Sequence, residues 1–266
     1  MMPMDYVLKY HHLWAVDFKP KAGGSGLQGS TAYMTPVLQY LNLRYTNHAG
    51  KTPSERLAFK DHLLGFFKAR AGESGSGVTY ASTAGYSLSC SSHPVKDFPK
   101  SAFMACFSGK GSPERLWSMI QLISYWRAYK THIEGKGGVA QVAEIVDKYL
   151  GVDCNGFIGN FLRAKYAGVK VGPSTKERDF RNGAVFRSAP PELRAQDVLV
   201  FTGFHHVSII DRVLSASSKE AQCMICESRG KDYGGPQMNV YTIKHASGKF
   251  WMRGESLDAI VKVKGT

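Results

Sequence analysis

The sequence has no run of apolar residues long enough to cross a membrane as a helix, although apolar residues make up 43% of its 266 positions. Its N-terminus also lacks the basic segment, apolar stretch and small-residue cleavage site of a secretory signal peptide. An apolar content of 43% is ordinary for a globular protein with a substantial core. We therefore expect a chain that is made in the cytoplasm, and that any export uses a route that does not read such a signal.

Cysteines are few, and their spacing is irregular. The five are Cys90, Cys106, Cys154, Cys223 and Cys226. An odd number at irregular spacing does not predict a disulfide framework. Cys223 and Cys226 form one C-x-x-C, but a structural zinc site needs a second pair or a spaced histidine pair. We predict that these two are core thiols of a buried strand, and that the protein has no metal site and no cofactor.

Negative charge is scarce. Lys and Arg number 34 against 21 Asp and Glu, which gives a formal net charge of +13. The excess is spread over the chain, with 11 basic and 6 acidic residues in 1–109 and 23 and 15 in 110–266. A basic surface attracts polyanions such as nucleic acid, an anionic cell envelope or acidic lipid. There is no block of consecutive basic residues and no nucleic-acid-binding motif, so nucleic acid is not the favoured partner.

The first 109 residues are expected to form an accessory region of mixed strands and helices, rich in strands, whose function the sequence leaves open. Aromatic and β-branched content predicts a strand over 5–18, and Pro36 favours extended chain over 31–45. A capped apolar pattern predicts a helix over 52–70. Two further stretches, 78–90 and 101–107, read as strands, and Gly/Ser loops separate the elements at 21–30 and 72–77.

Residues 110–266 are expected to form a second domain of the α+β class. Helices are predicted from Pro113 to about 131, over about 138–149, and from Cys154 to about 167. After a loop at 171–183, strands are predicted at 197–203, 206–214, 221–228, 238–244 and 257–264. Helices followed by a run of strands indicate helices packed on an antiparallel sheet.

Cys154 stands where the third of these helices begins. Asp153 is a favoured N-cap residue, and Gly156 keeps the entrance free of side-chain bulk, with Asn155 between them. Unpaired N–H groups and the helix dipole stabilise a thiolate at this position, which makes Cys154 a candidate nucleophile. The alternative is an inert core residue, because cysteine is among the most buried residue types.

A histidine and an acid follow on successive predicted strands. His206 opens the strand at 206–214, and Glu227 lies near the end of the next. A nucleophilic thiol needs a base within hydrogen-bond reach, and the base needs a third group to hold its tautomer. Each residue alone also fits a structural role, with His206 bonded to backbone and Glu227 paired with Arg229. The order of the three residues favours the catalytic interpretation.

Four segments in this order resemble the NlpC-type papain-like cysteine peptidases. D-C-N-G-F (153–157) is similar to the family's D-C-S-G-[FL], and A-Q-D-V-L-V-F (195–201) to its P-G-D-[LV]-V-F-F. H-V-S-I (206–209) is similar to H-V-[GA]-I, and I-C-E-S (225–228) falls on the strand that carries a third polar residue. The resemblance covers about residues 110–266 and implies a papain-like fold.

Position by position, the resemblance implies Cys154 as nucleophile, His206 as base and Glu227 as orienting residue. His205 is left out because the motif aligns on the histidine directly before Val207. The chain departs from the family at Asn155, which replaces a serine, and at Ala195-Gln196, which replaces Pro-Gly. No tyrosine can be assigned to the oxyanion site.

The resemblance implies a thiol hydrolase for amide bonds, most often those of bacterial peptidoglycan peptides. Without a signal peptide, this fits a toxin delivered to a target periplasm by a type VI secretion system, with a delivery or immunity protein as partner, or a phage-type lysin. Two alternatives stay open. One is a papain-like deamidase, acyltransferase or protease that acts on proteins, and the other is a non-catalytic basic binding protein.

Overall fold

The computed structural model describes residues 1–83, 85–90, 95, 97–135, 140–230 and 234–266. The helices are α1 Pro3–His11, α2 Pro53–Arg70, α3 Lys100–Phe107, α4 Pro113–Glu134, α5 Ala140–Tyr149 and α6 Cys154–Lys165. The strands are β1 Trp14–Pro20, β2 Leu27–Met34, β3 Val78–Thr83, β4 Gly85–Cys90, β5 Phe98–Pro99, β6 Val185–Phe186, β7 Val198–Phe201, β8 Val207–Ala216, β9 Glu220–Ser228, β10 Pro236–Ala246, β11 Lys249–Met252 and β12 Glu255–Lys262. Within these ranges, no helix combines the length and the apolar content that a bilayer crossing requires.

The chain forms two compact units, and their boundary differs from the predicted one. One unit comprises Met1–Lys9 with Val152–Thr266, and the other comprises Tyr10–Gly151. The boundary expected between residues 109 and 110 therefore falls inside the Tyr10–Gly151 unit. α4 and α5 belong with the residues before them because α4 packs against β1, α2 and α3.

Two polar side chains of α4 explain why this helix joins the N-terminal strands. Gln121 accepts a hydrogen bond from Val16 N at 2.9 Å and donates one to Trp14 O at 2.6 Å, both on β1. Ser124 Oγ donates to Val16 O at 2.6 Å. These side chains satisfy backbone groups at the edge of β1 that a neighbouring strand would otherwise satisfy. A sequence pattern shows the polar residues in the helix but not the strand that they serve.

The unit formed by Met1–Lys9 and Val152–Thr266 is built on an antiparallel sheet that closes on itself. Its strand order is β11-β10-β9-β8-β7-β12, and β12 pairs back with β11, so six strands form a barrel with β6 attached to β12. The chain is therefore α+β, as expected from the order of its elements. The barrel is filled by apolar side chains that include Leu199, Phe201, Ile210, Cys223, Ile225 and Ile260.

Of two predicted strands, 101–107 is a helix, and 5–18 is a helix up to His11 followed by strand β1 from Trp14. The burial pattern shows why the helical parts form. Over 5–18 the chain is helical up to His11, and its buried residues Pro3, Tyr6, Val7 and Tyr10 recur at the helical spacing. Over 101–107 the chain forms α3, whose buried residues are Ala102, Phe103, Cys106 and Phe107. Aromatic content favoured strands in both segments, but the apolar spacing of three to four residues is that of a helix.

Most of the remaining elements lie where the sequence placed them. Thr52 caps α2 in a capping box with Glu55, and Ser112 caps α4. The five predicted strands from 197 onward are β7, β8, β9, β10 and β12, with ends shifted by a few residues. The sequence missed the short strands β5, β6 and β11. Strand β2 begins at Leu27, inside the loop expected at 21–30, and the expected loop at 171–183 contains a 3-10 helix, Glu177–Arg181.

One glycine of α6, Gly159, and the glycine of α2, Gly65, predict opposite responses to alanine. A Cβ at Gly159 would lie 2.1 Å from the backbone of Gly172, whereas a Cβ at Gly65 would meet nothing within 4 Å. Gly159→Ala should destabilise the fold by about 2 kcal/mol or more, because two backbone segments must separate. Gly65→Ala should stabilise it by about 0.5–1 kcal/mol through lower unfolded-state entropy. Denaturant unfolding of the two variants checks this, and equal effects would contradict the close approach.

Candidate active site

His206 and Glu227 are in direct contact inside the barrel unit. His206 Nε2 lies 2.8 Å from Glu227 Oε2, and both side chains are buried. His206 directly precedes β8, and Glu227 lies on β9, which is the antiparallel neighbour of β8. Adjacent pairing of these strands is what allows a carboxylate on one to reach an imidazole on the other.

Glu227 accepts four hydrogen bonds although it has no solvent exposure. Oε2 accepts from His206 and from Ser208 Oγ at 3.1 Å. Oε1 accepts from Tyr241 OH at 3.2 Å and from Arg253 Nη1 at 2.6 Å. Two of these donors can carry positive charge, so the buried carboxylate is fully hydrogen-bonded and electrostatically compensated.

These partners set the protonation state of Glu227. Burial by itself raises the pKa of the carboxyl group, but the hydrogen bond and charge of His206 and the charge of Arg253 outweigh it and lower the pKa to about 2. At neutral pH Glu227 is therefore a carboxylate that can only accept hydrogen bonds. His206 must then donate through Nε2, which leaves Nδ1 as the nitrogen with an available lone pair.

Cys154 is the first residue of α6, as the sequence predicted. Asp153 is the N-cap, and its Oδ1 accepts from Gly156 N at 2.6 Å. Asn155 is buried, and its Oδ1 lies 3.6 Å from the Cys154 sulfur. The thiol therefore sits at the end of the helix where backbone N–H groups accumulate, the position that stabilises a thiolate.

α6 lies against the two strands that hold the histidine and the acid. It packs on β8 and β9, and Ser228 Oγ of β9 donates to Val152 O, just before the N-cap. Ser228 is the neighbour of Glu227, so consecutive residues of β9 hold the imidazole and the chain that leads to Cys154. The direct approach of the Cys154 sulfur to the imidazole stays a prediction.

The segment before β7 has a structural role, and one of its residues, Gln196, has an unusual backbone conformation. Asp197 is buried and accepts both Nε and Nη2 of Arg187, at 2.8 and 2.9 Å. Gln196, which stands where the resembled motif has glycine, has a left-handed φ of 72°. Its backbone N–H donates to Ile210 O at 2.6 Å, which joins the turn to β8. The departure from the motif thus changes the residue type at a position with the positive φ that suits glycine.

His205 makes different contacts from its neighbour. It is exposed, with Nδ1 2.9 Å from Thr202 O and Nε2 3.0 Å from Glu255 Oε2. His205 is therefore held at the surface, whereas His206 turns to Glu227. Leaving His205 out of the candidate site agrees with these contacts.

Sequence reasoning missed Ser208, Tyr241 and Arg253 as members of this cluster. Ser208 on β8 follows His206, the residue just before this strand, by two positions, so strand alternation could have placed it on the same face. Tyr241 and Arg253 lie 14 and 26 residues beyond Glu227, and no local pattern connects them to it. Their contribution depends on how the barrel closes.

The cysteines of the C-x-x-C pair are buried core thiols, as predicted. Cys223 and Cys226 lie on β9, and burial raises the pKa of Cys223 to about 11 and that of Cys226 further. Cys106 is buried in α3, with its pKa raised by the same cause. Across the described ranges, no cluster of three or more His, Cys, Asp or Glu side chains is placed to hold a metal ion.

The lowered pKa of Glu227 predicts an acid-dependent loss of stability. Its folded pKa of about 2 lies below the ordinary glutamate value of 4.5, so its stabilising contribution is complete above about pH 5 and is lost as the pH falls towards 2. The contribution of Glu227 to the free energy of unfolding above pH 5 is about 3 kcal/mol. Denaturant unfolding from pH 6 to pH 2 should show a steeper decline for wild type than for Glu227→Gln. Glu220→Gln, an exposed change on the same strand, should follow wild type.

The double variant Glu227→Gln with Arg253→Met serves if Glu227→Gln alone leaves too much buried positive charge to fold. It should show the same shallow acid dependence as the single variant. Parallel curves for wild type and these variants between pH 5 and pH 2 would contradict an ionised Glu227.

The cysteine environments predict an order of thiol reactivity. Cys154 is buried like Cys106, Cys223 and Cys226, but it alone of the four stands at a helix N-terminus, which favours its thiolate, so it should react fastest with a small alkylating reagent near pH 7. Cys106, Cys223 and Cys226 should react slowly, since burial raises the pKa of each. Peptide mass spectrometry of partially alkylated native protein gives the order. Finding Cys154 among the slow thiols would remove the chemical basis for its role as a nucleophile.

Comparison with known proteins adds no relative. No protein-family model matches the chain, and no curated protein or solved structure matches it significantly. A functional assignment therefore rests on the chemistry of Cys154, His206 and Glu227 and their neighbours, together with the motif resemblance.

Proposed function

We propose that this chain is a cysteine hydrolase of the NlpC-type papain-like class that cleaves amide bonds. The observation that carries the proposal is the buried 2.8 Å hydrogen bond between His206 Nε2 and Glu227 Oε2. A catalytic imidazole needs a partner that fixes its tautomer before it can accept a proton, and an ionised carboxylate is such a partner. Arg253 and the other donors to Glu227 support that ionised state.

The nucleophile in this proposal is Cys154. Two features support it: α6 begins at this residue, and α6 packs on the strands that carry the His206–Glu227 pair. With Nε2 donating to Glu227, Nδ1 of His206 is the atom that would take the thiol proton. The thiolate would then attack the amide carbonyl, and an oxyanion would form on the carbonyl oxygen.

Backbone N–H groups at the start of α6 would stabilise that oxyanion, with the N–H of Cys154 as the first candidate. The imidazolium would return its proton to the leaving amine, which leaves a thioester on Cys154. Water, activated by the neutral imidazole, would attack the thioester and release the acid. Glu227 stays ionised throughout and stabilises the imidazolium while it exists.

The proposed substrate is the peptide part of bacterial peptidoglycan. The motif resemblance supports this choice, and the formal charge of +13 suits an anionic cell envelope. In this proposal the protein acts as an antibacterial effector that a specialised secretion system delivers to a target periplasm. Deamidation, acyl transfer or proteolysis of a protein substrate would use the same thiol chemistry and is distinguished by the experiment below.

Digestion of purified sacculi tests the proposal. Wild type should release new muropeptides, whereas Cys154→Ala and His206→Ala should release none above background, because each removes a group that makes or breaks a bond. His205→Ala is the matched control: it deletes the adjacent imidazole, which is exposed and makes no contact with Glu227, and should retain most of the activity.

The other outcomes separate the alternatives. Intact sacculi together with rapid alkylation at Cys154 would favour a protein substrate over peptidoglycan. Intact sacculi and a slow Cys154 would point to a basic binding protein. Equal losses for His205→Ala and His206→Ala would contradict the assignment of the base.

A further inference from the structure

Arg253 occupies an unfavourable backbone position for its residue type. It is the first residue of the two-residue turn between β11 and β12, with φ of 58°, and Gly254 follows with φ of 82°. Turns with positive φ at both central residues favour Asn-Gly, because a β-carbon is strained in the left-handed region. The neighbouring turn between β10 and β11 has the same signs of φ with the small residue Ser247 before Gly248.

The side chain of Arg253 shows what this position provides. It is 12% exposed, and Nη1 donates to Glu227 Oε1 at 2.6 Å. The guanidinium carbon lies 4.7 Å from the ring centroid of Tyr241 and 5.4 Å from that of Phe201, so two aromatic rings flank it. Phe201 in turn lies 5.0 Å from the His206 ring. The rings and the carboxylate together fix the guanidinium.

The tight turn thus places a permanently charged guanidinium in contact with Glu227, the acid that contacts His206. The titratable groups in contact with Glu227 are His206 from the start of β8, Tyr241 from β10 and Arg253 from the turn. Tyr241 contributes a hydroxyl donor, and His206 changes charge during the proposed reaction. Arg253 is the contact whose charge does not change, because guanidinium stays protonated in proteins.

Loss of that charge would have a defined chemical consequence. Burial alone favours a neutral carboxylic acid, which can donate a proton as well as accept one. A protonated Glu227 would donate to Nε2 of His206 and leave the hydrogen on Nδ1. An imidazole with that tautomer cannot accept the thiol proton through Nδ1.

We propose that Arg253 is a positioning residue that keeps Glu227 ionised and so fixes His206 as the Nε2–H tautomer, with Nδ1 ready to act as the base. The inference rests on the proposed hydrolase for its consequence in catalysis. Its physical core, the link from Arg253 through Glu227 to the imidazole, can be measured without any activity.

Arg253→Asn removes the guanidinium and keeps the turn, since Asn before Gly254 is the residue that such a turn prefers. Nitrogen chemical shifts of ¹⁵N-labelled histidine report the tautomer of each imidazole. For the neutral imidazole of His206, wild type should show the Nε2–H form alone. Arg253→Asn should show a mixture with the Nδ1–H form, and Arg253→Lys should restore the wild-type pattern in part. Ser247→Asn, which introduces the same residue at the equivalent position of the matching turn, should leave His206 unchanged.

Kinetics on sacculi provide the second reading. Arg253→Asn should lower kcat by about tenfold or more with little change in KM, because it perturbs the base and not substrate binding. If folded Arg253→Asn protein shows the wild-type tautomer of His206, the proposal is overturned, whether or not the variant digests sacculi. A shifted tautomer with no digestion by wild type would instead uphold the link and reject peptidoglycan hydrolysis.

Discussion

A single buried carboxylate joins most of the elements around the candidate site. Glu227 on β9 binds donors from the start of β8, from β10 and from the β11–β12 turn. An ionised carboxyl group without partners is costly in a protein interior, so these donors must all be present when the barrel closes. The requirement for compensation therefore fixes both the strand positions and the protonation state of the group that contacts His206. Stability and the proposed chemistry depend on the same set of hydrogen bonds.

The strand β9 connects this cluster to the helix that begins at Cys154. Successive residues of a strand point to opposite faces, and Glu227 shares its face with Ile225 of the barrel core. Ser228 points the other way and holds the carbonyl of Val152. A register shift of one residue would exchange these two side chains and lose both connections at once. This dependence explains how a short stretch of strand can hold the acid and the start of α6 in a fixed relation.

The sequence predicted elements well where local signals agreed. Capping residues and apolar spacing coincided in α2, α4 and α6, and alternating or continuous apolar runs identified β7 to β10 and β12. It failed in α1 and α3, where aromatic residues favoured strands although the burial follows a helical period. The unit boundary was misplaced because Gln121 and Ser124 attach α4 to β1 across more than a hundred residues. Composition along the chain carries no record of such pairing.

The sequence by itself determined where α6 begins, because Asp153, Cys154 and Gly156 form a local helix start whose hydrogen bond spans three residues. It also supplied His206 and Glu227 as candidates, since both lie at strand ends that the apolar pattern reveals. Only the tertiary structure decided that the two touch, that Glu227 is ionised, and that Arg253 reaches it from a strained turn. The physical reason is one of range. Helix caps and strand alternation are set by neighbours in sequence, whereas burial, charge compensation and protonation state are set by residues that meet only when the barrel closes.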